Sequence, residues 1–301
     1  MRKIVNLLII TLGFAGILSC PVFAGETGHY VSGLEGIRAG TLPPPGFYYK
    51  MYNLFYESDK LVDQTGNRLK SGFDLKVFAN AHRFIWVTDK KIFGADYIID
   101  ATIPLVSTDI KIDSAGINDS LFAPADICIE PIALGWHGAR YDSAVAACVY
   151  VPTGKYDKNE PASPGKDFWT GMFTLAGTYY FDDAKAWSVS ILSRYEIHSN
   201  KNKTDVKPGN DFHFEWGIAK TLAKVWDIGL VGYCHWQVSG DSGSDVNWDR
   251  SVHDRVHAIG PEVSIFIPCL KLLFSIRSEF EFMAVDRSEG SAATLTLTKI
   301  F

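Results

Sequence analysis

The chain has 301 residues, a formal net charge of −5, 47% hydrophobic and 21% charged residues. Its mean hydropathy lies close to zero, which excludes a bundle of membrane helices, since each would need roughly 20 consecutive apolar residues. The 13% aromatic content excludes a disordered chain, and the acidic balance speaks against a nucleic-acid partner. A soluble globular domain fits these numbers. So does an outer-membrane barrel, whose strands turn every second side chain away from lipid.

The N-terminus suggests the compartment. Arg2 and Lys3 precede an apolar run from Ile4 to Leu18, and Val22-Phe23-Ala24 places small residues before Gly25. This predicts a secretory signal peptide over residues 1–24, cut after Ala24. A retained signal anchor and a lipoprotein at Cys20 are the alternatives. Residues 25–46 follow as a Gly/Pro-rich segment with no period, ending in Pro43-Pro44-Pro45. That segment is expected either to fold inward as a plug, with His29, Tyr30, Glu35 and Arg38 as its candidate contacts, or to hang in the periplasm.

From Phe47 to Phe301 the pattern alternates. Trp187, Val189, Ile191, Tyr195 and Ile197 share one side of their run, with Ser188, Ser190, Arg194 and Glu196 on the other. Phe212, Phe214 and Trp216 oppose His213 and Glu215, and Leu272, Phe274, Ile276, Phe280 and Phe282 oppose Arg277, Glu279 and Glu281. A period of two marks two-sided strands. About twelve such runs are predicted, near 47–57, 72–88, 95–109, 125–137, 142–153, 167–181, 186–198, 210–221, 226–239, 257–267, 270–284 and 291–301. Long polar connections (58–71, 110–124, 154–166, 199–209, 240–256) alternate with short ones; the eleventh connection, 285–290, breaks the rule. Short turns on one side and long loops on the other are the plan of an outer-membrane barrel. The run lengths suit strands that must cross a bilayer, which takes roughly 9–11 residues each. The fold class is therefore all-β, a transmembrane antiparallel up-and-down barrel of about twelve strands. Trp136, Trp169, Trp187, Trp226 and Trp236 lie near strand ends, where an interfacial girdle belongs.

If the apolar side faces lipid, the other side lines the lumen. It carries Asp74, Lys76, His82, Arg194, Glu196, His213, Glu215, Asp227, His235, Lys271, Arg277, Glu279 and Glu281. Both signs are present, so a mixed network that lines the path or braces the wall is expected, not a one-charge selectivity ring. Arg83 stands on the apolar parity of its strand, which points to a bulge or an interfacial position. Cys128 and Cys148 flank the short turn at Gly138 symmetrically, which makes them a disulfide candidate across a hairpin. Asp241, Asp245 and Asp249 lack the pattern of a calcium loop, and no CxxC pair suggests zinc; no metal or cofactor is expected. The sets Glu196/His198/Ser199 and Ser251/His253/Asp254 match no nucleophile motif, so no enzyme is expected, with a lipid-modifying barrel as the remote alternative. The terminal Phe301 resembles the C-terminal signal read by barrel-insertion machinery, although Lys299 departs from that pattern.

Ordered blocks carry a further likeness. His29-Tyr30 with Gly33, Gly36, Ala39-Gly40 and Leu42-Pro43-Pro44-Pro45-Gly46-Phe47-Tyr48 come first. Asp126-Ile127 with Pro131 and Leu134-Gly135-Trp136, then Tyr150-Val151-Pro152-Thr153-Gly154-Lys155-Tyr156-Asp157, follow. Tyr195-Glu196 with Asn200, Asn202 and Pro208-Gly209, then Gly229, Gly232-Tyr233, Gln237 and Gly260-Pro261, complete the series. Over nearly the whole chain this resembles the bacterial meta-pathway phenol degradation family of outer-membrane transporters, with Ala125 where that family has Gly. The resemblance implies an outer-membrane channel for passive uptake of small hydrophobic, aromatic solutes, similar in plan to fatty-acid and toluene channels. The expected partners are outer-membrane lipid and lipopolysaccharide, the insertion machinery and the solutes themselves. A structural or adhesion barrel without transport is the alternative.

Overall fold

The computed structural model describes residues 27–301; the expected signal peptide lies outside them. The strands are β1 (Gly46–Ser58), β2 (Phe73–Ile92), β3 (Ala95–Ile112), β4 (Ile117–Pro124), β5 (Ile127–His137), β6 (Tyr141–Val151), β7 (Thr170–Tyr180), β8 (Trp187–His198), β9 (Asp211–Leu222), β10 (Trp226–Gln237), β11 (Arg255–Ile267), β12 (Leu272–Val285) and β13 (Ser291–Ile300). Neighbours pair antiparallel, β1 pairs with β13, and β2 pairs with both β1 and β3, so the sheet closes. β3 pairs twice: Leu105–Ile112 with β4 and Asp96–Thr102 with β5. β4 and β5 thus fill one position in the wall, and the closed barrel has twelve. The sequence placed 117–124 in a loop. Its alternation is real, but it extends the wall beyond β5 after a break at Ala125-Asp126.

The alternating burial follows from closure. On β8, Ser188, Ser190, Leu192, Arg194, Glu196 and His198 are buried, while Trp187, Ile191, Tyr195 and Ile197 are exposed. Exposed apolar residues recur on the other strands (Leu175, Ile218, Leu230, Ile259, Ile276, Phe280) and make a continuous apolar exterior. At the short-turn end Phe47, Trp86, Tyr141, Tyr179, Trp187 and Trp226 stand on this exterior, as an aromatic girdle does at a membrane interface.

β2 inverts the expected parity. Ala81, Ile85 and Val87 are buried inside, and Phe84 and Trp86 are exposed outside. Asp74 and Lys76 therefore lie on the outer side and pair with each other, both largely exposed. His82 is also on the outer side, its Nδ1 2.6 Å from the Tyr49 hydroxyl. Here both faces are partly apolar, because this stretch of lumen is lined by small aliphatic groups, and alternation alone misassigned it. Arg83 is neither in a bulge nor at an interface; it points inward. Lys271 lies at the tip of the β11–β12 turn with φ 45°, exposed rather than lining the lumen.

Candidate functional site

Residues 27–45 run through the barrel from the long-loop end to the short-turn end, then enter β1. Apart from a 3-10 turn at Gly36–Arg38, this backbone forms no regular structure, so its N–H and C=O groups need partners from outside itself. Wall side chains supply them. Glu196 accepts from the backbone N–H of His29 and Tyr30, at 3.1 and 2.8 Å. Glu215 accepts from Glu35 N–H at 2.9 Å, and Glu262 from Ile37 N–H at 2.9 Å. Arg277 donates to the carbonyls of Gly33, at 2.7 Å, and Leu34. Ser190 donates to the Ile37 carbonyl at 2.6 Å. The charged residues facing the lumen thus act as the hydrogen-bonding complement of an irregular chain.

Side chains of the segment add four anchors. His29 lies between Asp126, 2.9 Å from Nε2, and Thr170, 2.7 Å from Nδ1, and stacks on Tyr150 with ring centroids 4.9 Å apart. The Tyr30 hydroxyl donates to Glu215, and its ring is held between His213, with centroids 4.9 Å apart, and the Arg194 guanidinium, 3.9 Å from the ring centre. Glu35 contacts Lys50 at 2.6 Å, Arg83 at 2.8 Å, Arg194 at 3.8 Å and the Tyr52 hydroxyl at 3.0 Å. Three cations thus converge on this one carboxylate. Arg38 reaches Asp227 at 3.0 Å and Thr221 at 2.7 Å near the short-turn end.

Arg83 also makes a two-pronged contact with Asp100, at 2.9 and 2.6 Å, and reaches Glu130 at 3.3 Å. The sequence reading missed Asp100, Glu130, Asp126, Glu262, Lys50 and Asp211. The strands of Asp100, Glu130, Glu262 and Lys50 carry polar or small residues on both parities, while Asp211 continues the polar parity of His213 and Glu215 on β9 and was passed over at the strand's start. Asp126 had two signals, its place in the Asp126-Ile127 block and the break it makes between β4 and β5. Its carboxylate turns inward to accept Gly154 N–H at 2.7 Å and Lys166 N–H at 2.8 Å, closing the loop between β6 and β7 onto the wall.

Of the remaining candidates, Glu281 accepts from the Tyr56 and Tyr233 hydroxyls, at 2.8 Å each, and Glu279 lies 3.7 Å from Arg277. His235 stacks on His213 with centroids 5.7 Å apart. Cys128 and Cys148 are free thiols. The register puts Cys128 opposite Tyr150, not Cys148, and both pack with Tyr30 and Met172. Asp241, Asp245 and Asp249 do not converge: Asp241 accepts from Gly209 N–H and Trp248, Asp245 from Asp205 N–H, and Asp249 from Ser251. Ser199 donates to the Asn200 carbonyl, while the His198 Nδ1 contact is Thr170 at 2.7 Å, so the first hydroxyl–imidazole set does not assemble.

Segment and wall backbones also approach closely at Gly217. A Cβ there would stand 2.7 Å from the Ile37 carbonyl oxygen and 2.9 Å from its Cα. Gly217→Val is therefore expected to displace the turn at Gly36–Arg38 while leaving the exterior of β9 unchanged. Limited proteolysis should then cut within residues 30–42, where the wild-type chain is expected to resist; equal resistance would show that the wall yields instead.

Beneath the turn a cavity of about 670 Å³ extends toward the short-turn end. Ile85, Ile98, Ala133 and Leu192 give it an apolar side, and Arg83 and Arg277 line it as well. A closed twelve-position barrel with an apolar exterior, an aromatic girdle and a chain segment in its bore defines an outer-membrane β-barrel, placed in the bacterial outer membrane. Residues 58–297 match the family model described as "Putative MetA-pathway of phenol degradation", and the chain belongs to that family. No curated protein matches the sequence. Among solved structures, an outer membrane channel from Pseudomonas putida F1 aligns with a TM-score of 0.77 at 11% identity, covering 87% of this chain and 97% of that one. The β domain of the Bordetella autotransporter BrkA aligns with a TM-score of 0.51 at 9% identity, covering 85% and 100%. The translocator domain of NalP from Neisseria meningitidis aligns with a TM-score of 0.51 at 8% identity, covering 86% and 90%. These likenesses establish the barrel fold.

Proposed function

We propose that the protein is a passive outer-membrane channel for small hydrophobic, aromatic solutes, and that residues 27–45 are a plug that must shift for passage. The observation that carries this reading is the part-apolar cavity of about 670 Å³ directly beneath the segment. Its volume falls within the range of small-molecule sites, roughly 300–1,000 Å³. Membership of a family named for phenol degradation favours aromatic cargo. A barrel with no transport role would need no such space, and a lipid-modifying enzyme would need an assembled nucleophile. The test is uptake of radiolabelled aromatics by cells lacking the protein, together with swelling of liposomes that contain it. Uptake and swelling above the protein-free controls are expected, and equal rates would overturn the channel.

Assembly supplies a separate expectation. Phe301 is exposed beside Phe47, with ring centroids 5.6 Å apart, where insertion machinery can reach it. Deleting Phe301 should cut the amount of heat-modifiable barrel in the outer membrane several-fold while leaving refolding into detergent intact. Unchanged membrane yield would remove this role.

A further inference from the structure

At the long-loop end of the lumen, Asp211 at the start of β9, His235 on β10 and Asp254 just before β11 converge. His235 Nε2 lies 3.4 Å from Asp211 Oδ1 and 3.3 Å from Asp254 Oδ1, and the three side chains are 6%, 2% and 4% exposed. Neither His235 Nε2 nor Asp254 Oδ1 has a hydrogen-bond partner. The two atoms lie within ion-pair distance of each other yet make no hydrogen bond, and buried polar atoms left without one are costly. The separations are long for a charge-assisted hydrogen bond. These two edges match a tetrahedron with metal–ligand distances of about 2.0–2.1 Å, whose edge is about 3.3–3.4 Å, and the three ligand atoms all lie within 4.8 Å of one another.

The surroundings fit a cation. His198 Nε2 lies 3.1 Å from Asp211 Oδ2 and fixes that carboxylate, leaving Oδ1 toward His235. Glu196 belongs to the adjoining set with His198 and Asp211. Arg287 lies 3.4 Å from Asp254 Oδ2, whereas Asp211 and Glu196 meet histidines, an acidic setting that suits a dication. A mixed imidazole and carboxylate set favours a transition metal such as zinc over calcium or magnesium, which prefer oxygen alone.

We propose that Asp211, His235 and Asp254 bind one zinc-like divalent cation through His235 Nε2 and two carboxylate oxygens, with water completing the shell. The ion ties β9, β10 and the loop before β11 together beside the outer end of the plug, where Glu196 holds the N–H groups of His29 and Tyr30. No sequence spacing announced it, because the ligands come from three separate elements.

The rival occupant is a proton, which would make His235 an imidazolium between two carboxylates. Zinc alone separates the two. The full chain, carrying no histidine tag, is purified in detergent, stripped with a chelator and titrated with zinc. One saturable equivalent and a higher unfolding temperature are expected. His235→Gln should lose both while keeping heat-modifiable migration. No saturable uptake by the wild-type chain, or equal affinity in H235Q, overturns the proposal. Should H235Q fail to fold, X-ray absorption at the zinc edge of the wild-type protein decides. A nitrogen and oxygen shell with imidazole scattering is expected, and a shell with sulfur or without imidazole overturns the site.

Discussion

Deleting residues 27–42 is expected to yield a barrel that still inserts and still shifts on heating, but passes several-fold more current per channel in planar bilayers. The segment occupies the bore along its length, from His29 beside Asp126 to Arg38 beside Asp227, so its removal opens the bore from end to end. The barrel should survive because its strand pairing is complete without the segment. Glu196, Glu215, Glu262 and Arg277 lose backbone partners, yet the emptied lumen fills with water that can replace them. Melting should fall, since buried contacts of Tyr30 and Ile37 vanish with the segment. Conductance equal to wild type would mean that the segment does not limit passage, and would remove the plug from the proposed function.

Glu35→Ala is the strongest single substitution. One carboxylate meets Lys50, Arg83 and Arg194; without it three cations face one another, with Asp100 and Glu130 beside Arg83 and Glu215 3.7 Å from Arg194. Removing one member of a buried ionic set costs about 3–5 kcal/mol. The Glu35 side chain keeps 13% exposure, so water softens the loss toward the lower figure. At about 1.4 kcal/mol per tenfold, the equilibrium for release of the segment should shift by roughly two orders of magnitude. Single-channel records should show frequent open excursions, and proteases should reach residues 30–42. Glu35→Gln, which can still accept from Tyr52, should lie between. Quiet records with unchanged melting in the alanine variant would place the anchoring elsewhere.

The strand count and the inward charges of β8, β9 and β12 were legible because those strands set aliphatic and aromatic residues strictly against polar ones. On β2 the contrast fails: Ala81, Ile85 and Val87 face inward and Phe84 and Trp86 outward, so Arg83 looked misplaced when it was the informative residue. β4 was lost for another reason. Its pairing exists only because β3 runs past the break at Ala125-Asp126, and a polar, turn-bounded stretch reads as loop until its partner is known. The inner segment has no period to read. Its position is set by wall carboxylates on strands β8, β9 and β11, far apart in the chain, together with arginines on β2, β8 and β12. The names His29, Tyr30, Glu35 and Arg38 could be picked out as polar or aromatic residues in a Gly/Pro-rich stretch, but what they would meet could not.

Among the described residues, the segment is continuous with the wall at its β1 end. It passes into β1 through Pro43, Pro44 and Pro45, with the Tyr48 hydroxyl donating to the Pro44 carbonyl at 2.7 Å, and proline's fixed φ stiffens that junction. If residues 27–45 act as the plug proposed above, release would pivot the segment about this junction at the short-turn end while leaving it attached to the barrel. Incoming cargo and the withdrawing chain would then move the same way, and reclosure would need no second molecule.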